Sequence, residues 1–254
     1  MTIALVIPVL NEEHVIAKTL AHSAWLGFDE LIVADGGSTD RTMDLILEFQ
    51  VQGSRFEVQP PDTLRTSHVE LRPFSLPTPV TLMVAPPGRG RQMNMGARLS
   101  KSDVLVFLHA DTLLPMDARR SIEQALRTSG CVGGRFDVRF DETTILGTLI
   151  CHMMNLRSRL TGIATGDQAI FVRRTAFEAL GGFADIPIME DVEFSKRLKD
   201  QGTVEALRSR VTTSFRRWQF NGPIRTILLM WGLRLLYWLN VSPTRLKQWY
   251  SDAR

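Results

Sequence analysis

Apolar residues in this chain gather into short continuous runs, each closed by turn residues. Ile3-Ala4-Leu5-Val6-Ile7 ends at Pro8-Val9-Leu10-Asn11-Glu12-Glu13, and Glu30-Leu31-Ile32-Val33-Ala34 ends at Asp35-Gly36-Gly37-Ser38-Thr39-Asp40. A third run, Val104-Leu105-Val106-Phe107-Leu108, ends at His109-Ala110-Asp111-Thr112. Runs of this kind read as buried parallel strands. Between them the spacing turns helical. Val15, Ile16, Thr19 and Leu20 follow Asn11, a candidate N-cap; Met43, Ile46 and Leu47 follow Ser38 and Thr39, candidates to cap a second helix. Strand-helix-strand-helix predicts a parallel α/β sheet. Ligands of such sheets bind at the carboxyl ends of the strands, so Asn11, Asp35 and Asp111 are expected to open into one crevice.

Residues 52–79 break the rhythm. Pro60, Pro61, Pro73, Pro77 and Pro79, with no helical period, predict a long excursion before a strand at Val80–Ala85. Helices are expected over Gln92–Leu99 and after Pro115, where Ala118, Ile122, Ala125 and Leu126 recur. Arg135–Phe140 alternates and predicts a half-exposed strand. Ala169–Arg173 predicts another, followed by a helix ending at Gly181-Gly182. Asp191 opens a helix with Phe194 and Leu198 inward and Gly202 as its C′ residue. Ile224–Val241 is mostly apolar, but Arg234 leaves uncharged runs only over 226–233 and 235–244. Both fall far short of the roughly 20 residues that cross a bilayer as a helix. A buried or interfacial helix is expected there.

Composition narrows the setting. At 254 residues and 44% apolar, the chain can bury a core as one large domain. Its two cysteines, Cys131 and Cys151, make neither a disulfide framework nor a zinc site and point to a reducing compartment. A strand at the N-terminus, without a basic leader, speaks against a signal peptide. The net charge of +3 conceals an imbalance: residues 201–254 carry +7 and the remainder −4. Four of the five tryptophans (Trp218, Trp231, Trp238 and Trp249) share that basic stretch. Without a nucleic-acid motif elsewhere, the combination favours an anionic membrane surface or an anionic leaving group.

The candidate chemistry sits at the turns. Asp35 could accept from a nucleobase imide or a ribose hydroxyl, or simply cap its own Asp-Gly turn. Asp111 is suited to a hard divalent cation. His109, two residues earlier on the same face, is a poorer ligand for magnesium and reads as a ribose-facing or packed group. Glu190-Asp191 opens a helix, where acids complement the macrodipole. It could equally supply a rigid general base whose pKa the helix terminus keeps low. Gly88-Arg89-Gly90-Arg91 lacks the third glycine of a dinucleotide fingerprint, yet its backbone and arginines could take a phosphate. Gly166-Asp167-Gln168 is an acceptor-site candidate, and Arg216-Arg217-Trp218 a diphosphate clamp.

Together these residues resemble the family 2 glycosyltransferases of the GT-A fold. The Pro8–Glu13 and Asp35–Asp40 segments carry the resemblance. Gly90-Arg91-Gln92-Met93-Asn94-Met95-Gly96, Leu108–Thr112, Gly166-Asp167-Gln168 and Arg216-Arg217-Trp218 are similar to a bacterial subset, and the likeness runs from residue 3 to about 250. It implies a three-layer α/β/α sandwich with a mostly parallel central sheet, in a domain over 1–220 with 52–79 as an irregular insertion. A basic amphipathic helical segment over 221–254 would follow. It implies an inverting, metal-assisted transfer from a nucleotide-diphosphate sugar to an acceptor hydroxyl. Pro8, Asn11, Glu12, Asp35, Arg91 and Asp111 would line the nucleotide-sugar site, with Asp111 holding Mg²⁺ or Mn²⁺. Asp191 would be the base, Asp167, Gln168 and Glu190 would meet the acceptor, and Arg216 and Arg217 the diphosphate. The acceptor stays unnamed, a lipid-linked one included, and the expected location is cytoplasmic, on the inner face of a membrane. Two features depart from the family pattern: the length of 52–79, and His109 where a first metal carboxylate is usual. A sugar nucleotidyltransferase and a catalytically silent, membrane-peripheral scaffold are the rivals. The former would want a glycine-rich basic loop where Leu10-Asn11-Glu12-Glu13 stands.

Overall fold

The computed structural model describes residues 1–52 and 78–252, so most of the expected 52–79 excursion, and the prolines that prompted it, lie outside the described residues. The predicted strands form because their side chains have two apolar faces to fill. β1 (Ile3–Val9) and β4 (Val104–Phe107) are buried at every position, and β2 (Glu30–Asp35) at all but Glu30. Alternate residues of β1 serve opposite layers. Ile3, Leu5, Ile7 and Val9 pack with α1 (Ile16–Ala24), α2 (Thr42–Gln52) and α4 (Ala118–Leu126). Ala4 and Val6 pack with α3 (Arg89–Leu99), α6 (Arg174–Ala179) and α7 (Glu190–Lys199). The result is the expected helix-sheet-helix sandwich.

The sheet order is β3-β2-β1-β4-β7-β6-β8-β5, with β3 at Val80–Val84, β5 at Thr112–Leu113, β6 at Cys131–Phe140, β7 at Ile170–Arg173 and β8 at Thr203–Thr213. β3, β2, β1 and β4 run parallel, so their carboxyl ends share one edge. β7 is antiparallel to β4, with Phe107 opposite Ile170, which puts the start of β7 at that same edge. β8 runs parallel to β6 and antiparallel to β5, which returns its carboxyl end there as well. The 3₁₀ turn Gly166–Gln168, the turn at His109–Asp111 and the chain after Thr213 therefore converge.

Several local expectations change. α1 begins without a side-chain cap; Asn11 instead adopts a left-handed backbone (φ 55°) and turns its side chain to the second loop. α2 is started by Asp40, whose Oδ1 accepts from the Thr42 N–H at 3.0 Å, not by Ser38 or Thr39. Its inward face is Thr42, Ile46 and Phe49, with Leu47 48% exposed. β6 is not half-exposed: as an inner strand it buries Arg135 and Asp137, which pair at 2.7 Å. α7 ends at Asp200, so Gly202 is no C′ residue. Its missing side chain matters because a Cβ would approach the Gly130 carbonyl to 2.6 Å.

The basic C-terminal stretch forms α8 (Arg216–Asn221), α9 (Pro223–Trp238) and α10 (Pro243–Asp252). Leu233 and Leu246 pack on Met189 and Val192 at the head of α7, while Trp218 and Ile227 pack on the larger core. Among the described residues no helix is long and apolar enough to cross a membrane.

Candidate functional site

The strand ends are tied together before any ligand is considered. Asn11 Oδ1 accepts from the Thr39 N–H at 2.8 Å, and the Asn11 N–H donates to Ser38 Oγ at 2.9 Å. Asp35 accepts from the N–H groups of Gly37 and Ser38 and from the Ser38 hydroxyl, so the turn-capping role is realised and its buried carboxylate is spoken for in part. Pro8 is the buried residue of β1 opposite Ala34. The Gly90–Gly96 motif explains itself as scaffold. Gln92 donates to the carbonyls of Val9 and Ala34 at 2.7 and 2.8 Å, bracing both strand ends. Asn94 exchanges two bonds with the Phe183 backbone. Gly90 and Gly96 allow α3 to lie against Ala184 and Val6, where a Cβ would approach to 2.9 and 2.5 Å.

Arg91, expected at the nucleotide-sugar, is taken up by Asp185 through Nε and Nη2 at 2.6 and 2.9 Å. Arg89, two residues earlier on α3, reaches the crevice instead. Its Nη1 lies 3.5 Å from Glu190. Burial tends to lower its pKa, but the charges of Glu190, Asp191 and Asp167, with Tyr250, prevail and raise it.

A recess opens between the strand ends and α7, walled by Arg89, His109, Gly166, Glu190 and Asp191 over an apolar floor of Met93, Phe107, Ile170 and Phe183. On one side of this region Glu12 and Asp111 are close enough to interact. Burial, then the Asp111 charge, pushes the Glu12 carboxyl above the usual range; Arg216, His109 and Arg89 act the other way. Arg216 thus stands at the crevice. The side chain of Arg217 lies outside the described residues.

His109 is engaged at one ring nitrogen. Its Nδ1 meets Asp167 Oδ1 at 3.1 Å, while Nε2 is buried without a hydrogen-bond partner among the described residues and lies against Gly166, where a Cβ would come within 2.0 Å of it. Asp191 faces it across the recess. Burial first, then the neighbouring Glu190 charge, pushes the Asp191 carboxyl up to about 6. The N–H groups of Gly166 (2.8 Å) and Val192 (2.7 Å) and the Arg89 charge pull the other way and do not prevail. The expectation that a helix terminus keeps this pKa low is therefore overturned by enclosure and a like charge. Gln168 is fully buried, its Oε1 completing a capping box with Thr165.

The backbone marks the same place. Non-glycine residues with positive φ among the described residues are Asn11, Ala169, Met189 and Asn240. The first three flank the site, and Met189 (φ 70°) directly precedes Glu190-Asp191. Such strain persists only where surrounding packing imposes it. No sequence signal announced Ala169 or Met189.

Residues 4–60 match the model of the family described as Glycosyl transferase family 2. No curated protein matches the chain. Among solved structures, the chain is similar to S. aureus TarS 1-349 in complex with UDP-GlcNAc (TM-score 0.57, 14% identity, covering 84% of this chain and 58% of that one). It is similar also to the mannosyltransferase PcManGT from Pyrobaculum calidifontis in complex with GDP-Man and Mn²⁺ (0.59, 17%, covering 84% and 56%). A third is glucosyl-3-phosphoglycerate synthase from Mycobacterium tuberculosis with Mn²⁺, UDP-Glc and phosphoglyceric acid (0.55, 18%, covering 82% and 70%). The chain thus spans under three fifths of the first two. Its fold is that of these GT-A glycosyltransferases, and the segment bearing Asn11, Glu12 and Asp35 is the one that matches the family.

Proposed function

We propose that this protein transfers a sugar from a nucleotide-diphosphate sugar to an acceptor hydroxyl with inversion at the anomeric carbon. The observation that carries the reading is a division of carboxylates within one crevice. Glu12 and Asp111 face each other by the ends of β1 and β4, while Asp191 stands across the recess with its carboxyl raised to about 6. A base works best with a pKa near the operating pH, and Asp191 meets that condition while remaining mostly ionised at neutrality. It would take the acceptor hydroxyl proton as the oxygen forms its bond to the anomeric carbon. The bond from that carbon to the diphosphate breaks in line, and its electron pair leaves with the diphosphate, which Arg216, Arg217 and Arg89 are suited to receive. Asp167, Gln168 and Glu190 would shape the acceptor side. Pro8, Asn11 and Asp35 would form the nucleotide end, and the Arg91–Asp185 pair would support it from behind.

The donor set suits a hard cation. Two carboxylates whose charges oppose each other gain from a shared divalent ion, and oxygen ligands fit Mg²⁺ or Mn²⁺. Among the described residues no group of three or more His, Cys, Asp or Glu is placed to hold an ion. Asp111, with Glu12, would hold it only alongside phosphate oxygens and water, the usual habit of Mg²⁺. When bound it would offset charge on the departing diphosphate. The metal-containing complexes of similar structures support this assignment.

α9 supports a membrane-peripheral setting. Ile224, Leu228, Trp231, Leu235 and Trp238 recur at helical spacing and each is more than half exposed. An apolar stripe with interfacial tryptophans, on a basic segment, suits the surface of an anionic bilayer.

The test is a thermal-shift panel of UDP-, GDP- and dTDP-sugars with and without Mn²⁺. A ligand at 100 times its Kd adds about 2.7 kcal/mol of apparent stability. At least one sugar nucleotide should stabilise the protein and be consumed. Absence of both effects across the panel would overturn the reading in favour of a silent scaffold.

A further inference from the structure

One half-buried cation within reach of the Asp191 and Asp167 charges keeps two donors unpaired. Arg157 lies on α5 (Ile145–Thr161), and its Nε and Nη2 are both buried with no hydrogen-bond partner among the described residues. These two atoms form one edge of the guanidinium, the edge that grips a carboxylate or phosphate side-on. The same edge is filled elsewhere in this molecule. Arg91 offers Nε and Nη2 to Asp185, and Arg197 offers them to Glu193 at 2.5 Å each. Arg157 has the fork without the anion.

The nearby buried carboxylate is already filled: Arg135 takes Asp137 Oδ1 and Arg159, on the same helix as Arg157, takes its Oδ2, each at 2.7 Å. Burial lowers the Arg157 pKa, and Arg135 adds to that, while the charges of Asp191 and Asp167 act the other way. A buried donor left unpaired carries its full desolvation cost, and a charged one more. Such a cost is met when a ligand completes the fork.

Its position identifies which ligand. Arg157 interacts with Asp191 and Asp167, whereas the groups that act on Glu12 are Asp111, Arg216, His109 and Arg89. Arg157 therefore belongs with the proposed base. We propose that Arg157 binds an oxyanion, phosphate or carboxylate, carried by the acceptor, so that the acceptor is an anionic molecule whose hydroxyl is held beside Asp191. This rests on the glycosyl-transfer reading for the word acceptor; the anion site itself stands on the fork alone.

The experiment separates the two. Inorganic phosphate and glycerol 3-phosphate are titrated calorimetrically into the full-length wild type, Arg157→Met and Arg157→Lys, with vesicles of phosphatidic acid against phosphatidylcholine as further arms. Wild type should bind glycerol 3-phosphate, Arg157→Met at least tenfold more weakly, and Arg157→Lys in between, since lysine restores charge without the fork. The sugar-nucleotide thermal shifts should be equal in all three. Selective retention of phosphatidic acid vesicles that Arg157→Met abolishes would assign the anion to a lipid; binding of the soluble phosphate alone would assign it to a free acceptor. Thermal melts check folding: Arg157→Met should melt no lower than wild type, because it removes an unpaired buried charge. Failure of wild type to bind any of these probes, or equal binding by Arg157→Met, would overturn the proposal. Neither result would touch the donor reading, which the sugar-nucleotide panel decides on its own.

Discussion

At the scale of single residues, Asp191 shows how enclosure sets chemistry. Its carboxyl is raised to about 6 in the folded protein, against about 3.9 in an unfolded chain. The folded state therefore favours the protonated form. The group costs no stability below about pH 4, and that cost grows as pH rises to about 6 and then levels off. Asp191→Asn removes the titration. The stability of the variant relative to wild type should rise between about pH 4 and pH 7, by up to about 3 kcal/mol if the full shift is realised. Urea melts at the two pH values check this, whatever constant offset the lost acceptor atom introduces. Turnover of the same variant should fall by about 10²–10⁴, the worth of a positioned base, with nucleotide binding intact. Near-full transfer by Asp191→Asn, with loss in Asp167→Asn, would move the role to Asp167.

His109 is a second residue whose role the fold decides. Its place two residues before Asp111 reads as a ribose-facing or packed position, and the structure sets Nδ1 against Asp167 and the ring on the bare backbone of Gly166. Asp111→Asn should abolish Mn²⁺-dependent stabilisation by a nucleoside diphosphate, and His109→Ala should leave most of it. Gly166→Ala should destabilise by about 1–3 kcal/mol, because an added methyl must displace the imidazole. Combining it with His109→Ala should restore much of the loss in a double-mutant cycle. Strict additivity would mean the two residues do not touch.

Among the elements, α3 and α5 teach opposite lessons. The Gly90–Gly96 motif was legible as a pattern, yet its work is bracing: Gln92 holds two strand ends and Gly96 lets the helix sit on Val6. Gly96→Ala should therefore cost about 1–3 kcal/mol in a urea melt. α5 escaped the pattern altogether. Its buried residues include Gly147, Cys151 and Ser158, while Ile145, Leu149, Leu156 and Leu160 are more than half exposed, so its apolar spacing reports the wrong face. β8 escaped for a related reason, being an outer and largely polar strand. The parallel strands β1, β2 and β4 were legible because both faces are buried and each run ends in turn chemistry. The antiparallel entry of β7, which brings Gly166–Gln168 and His109 together, leaves no local trace in the sequence. Neither does the positive φ of Met189, which aims Glu190-Asp191 into the recess.

For the whole molecule, the two ends of the chain meet at one place. The β1 and β2 loops form the proposed nucleotide end, and α9 and α10 pack behind Met189 and Val192 at the proposed base. A surface contact made by α9 would thus lie close to the acceptor side. The +7 charge of residues 201–254 and the stripe from Ile224 to Trp238 point to an anionic bilayer as the occupant of that surface. Liposome flotation should then show binding that requires acidic lipid and weakens with salt, because exposed charges are screened within about 10 Å at 0.1 M. Replacing Trp231 and Trp238 together with glutamate removes exposed side chains and should abolish flotation while leaving the melting temperature nearly unchanged. The two tryptophans are 57% and 70% exposed, so little core packing is at stake. If flotation is absent in wild type and the melting temperature rises with protein concentration, the stripe joins copies of the chain instead. The surface reading would then fall, while the carboxylate division at the strand ends would stand untouched.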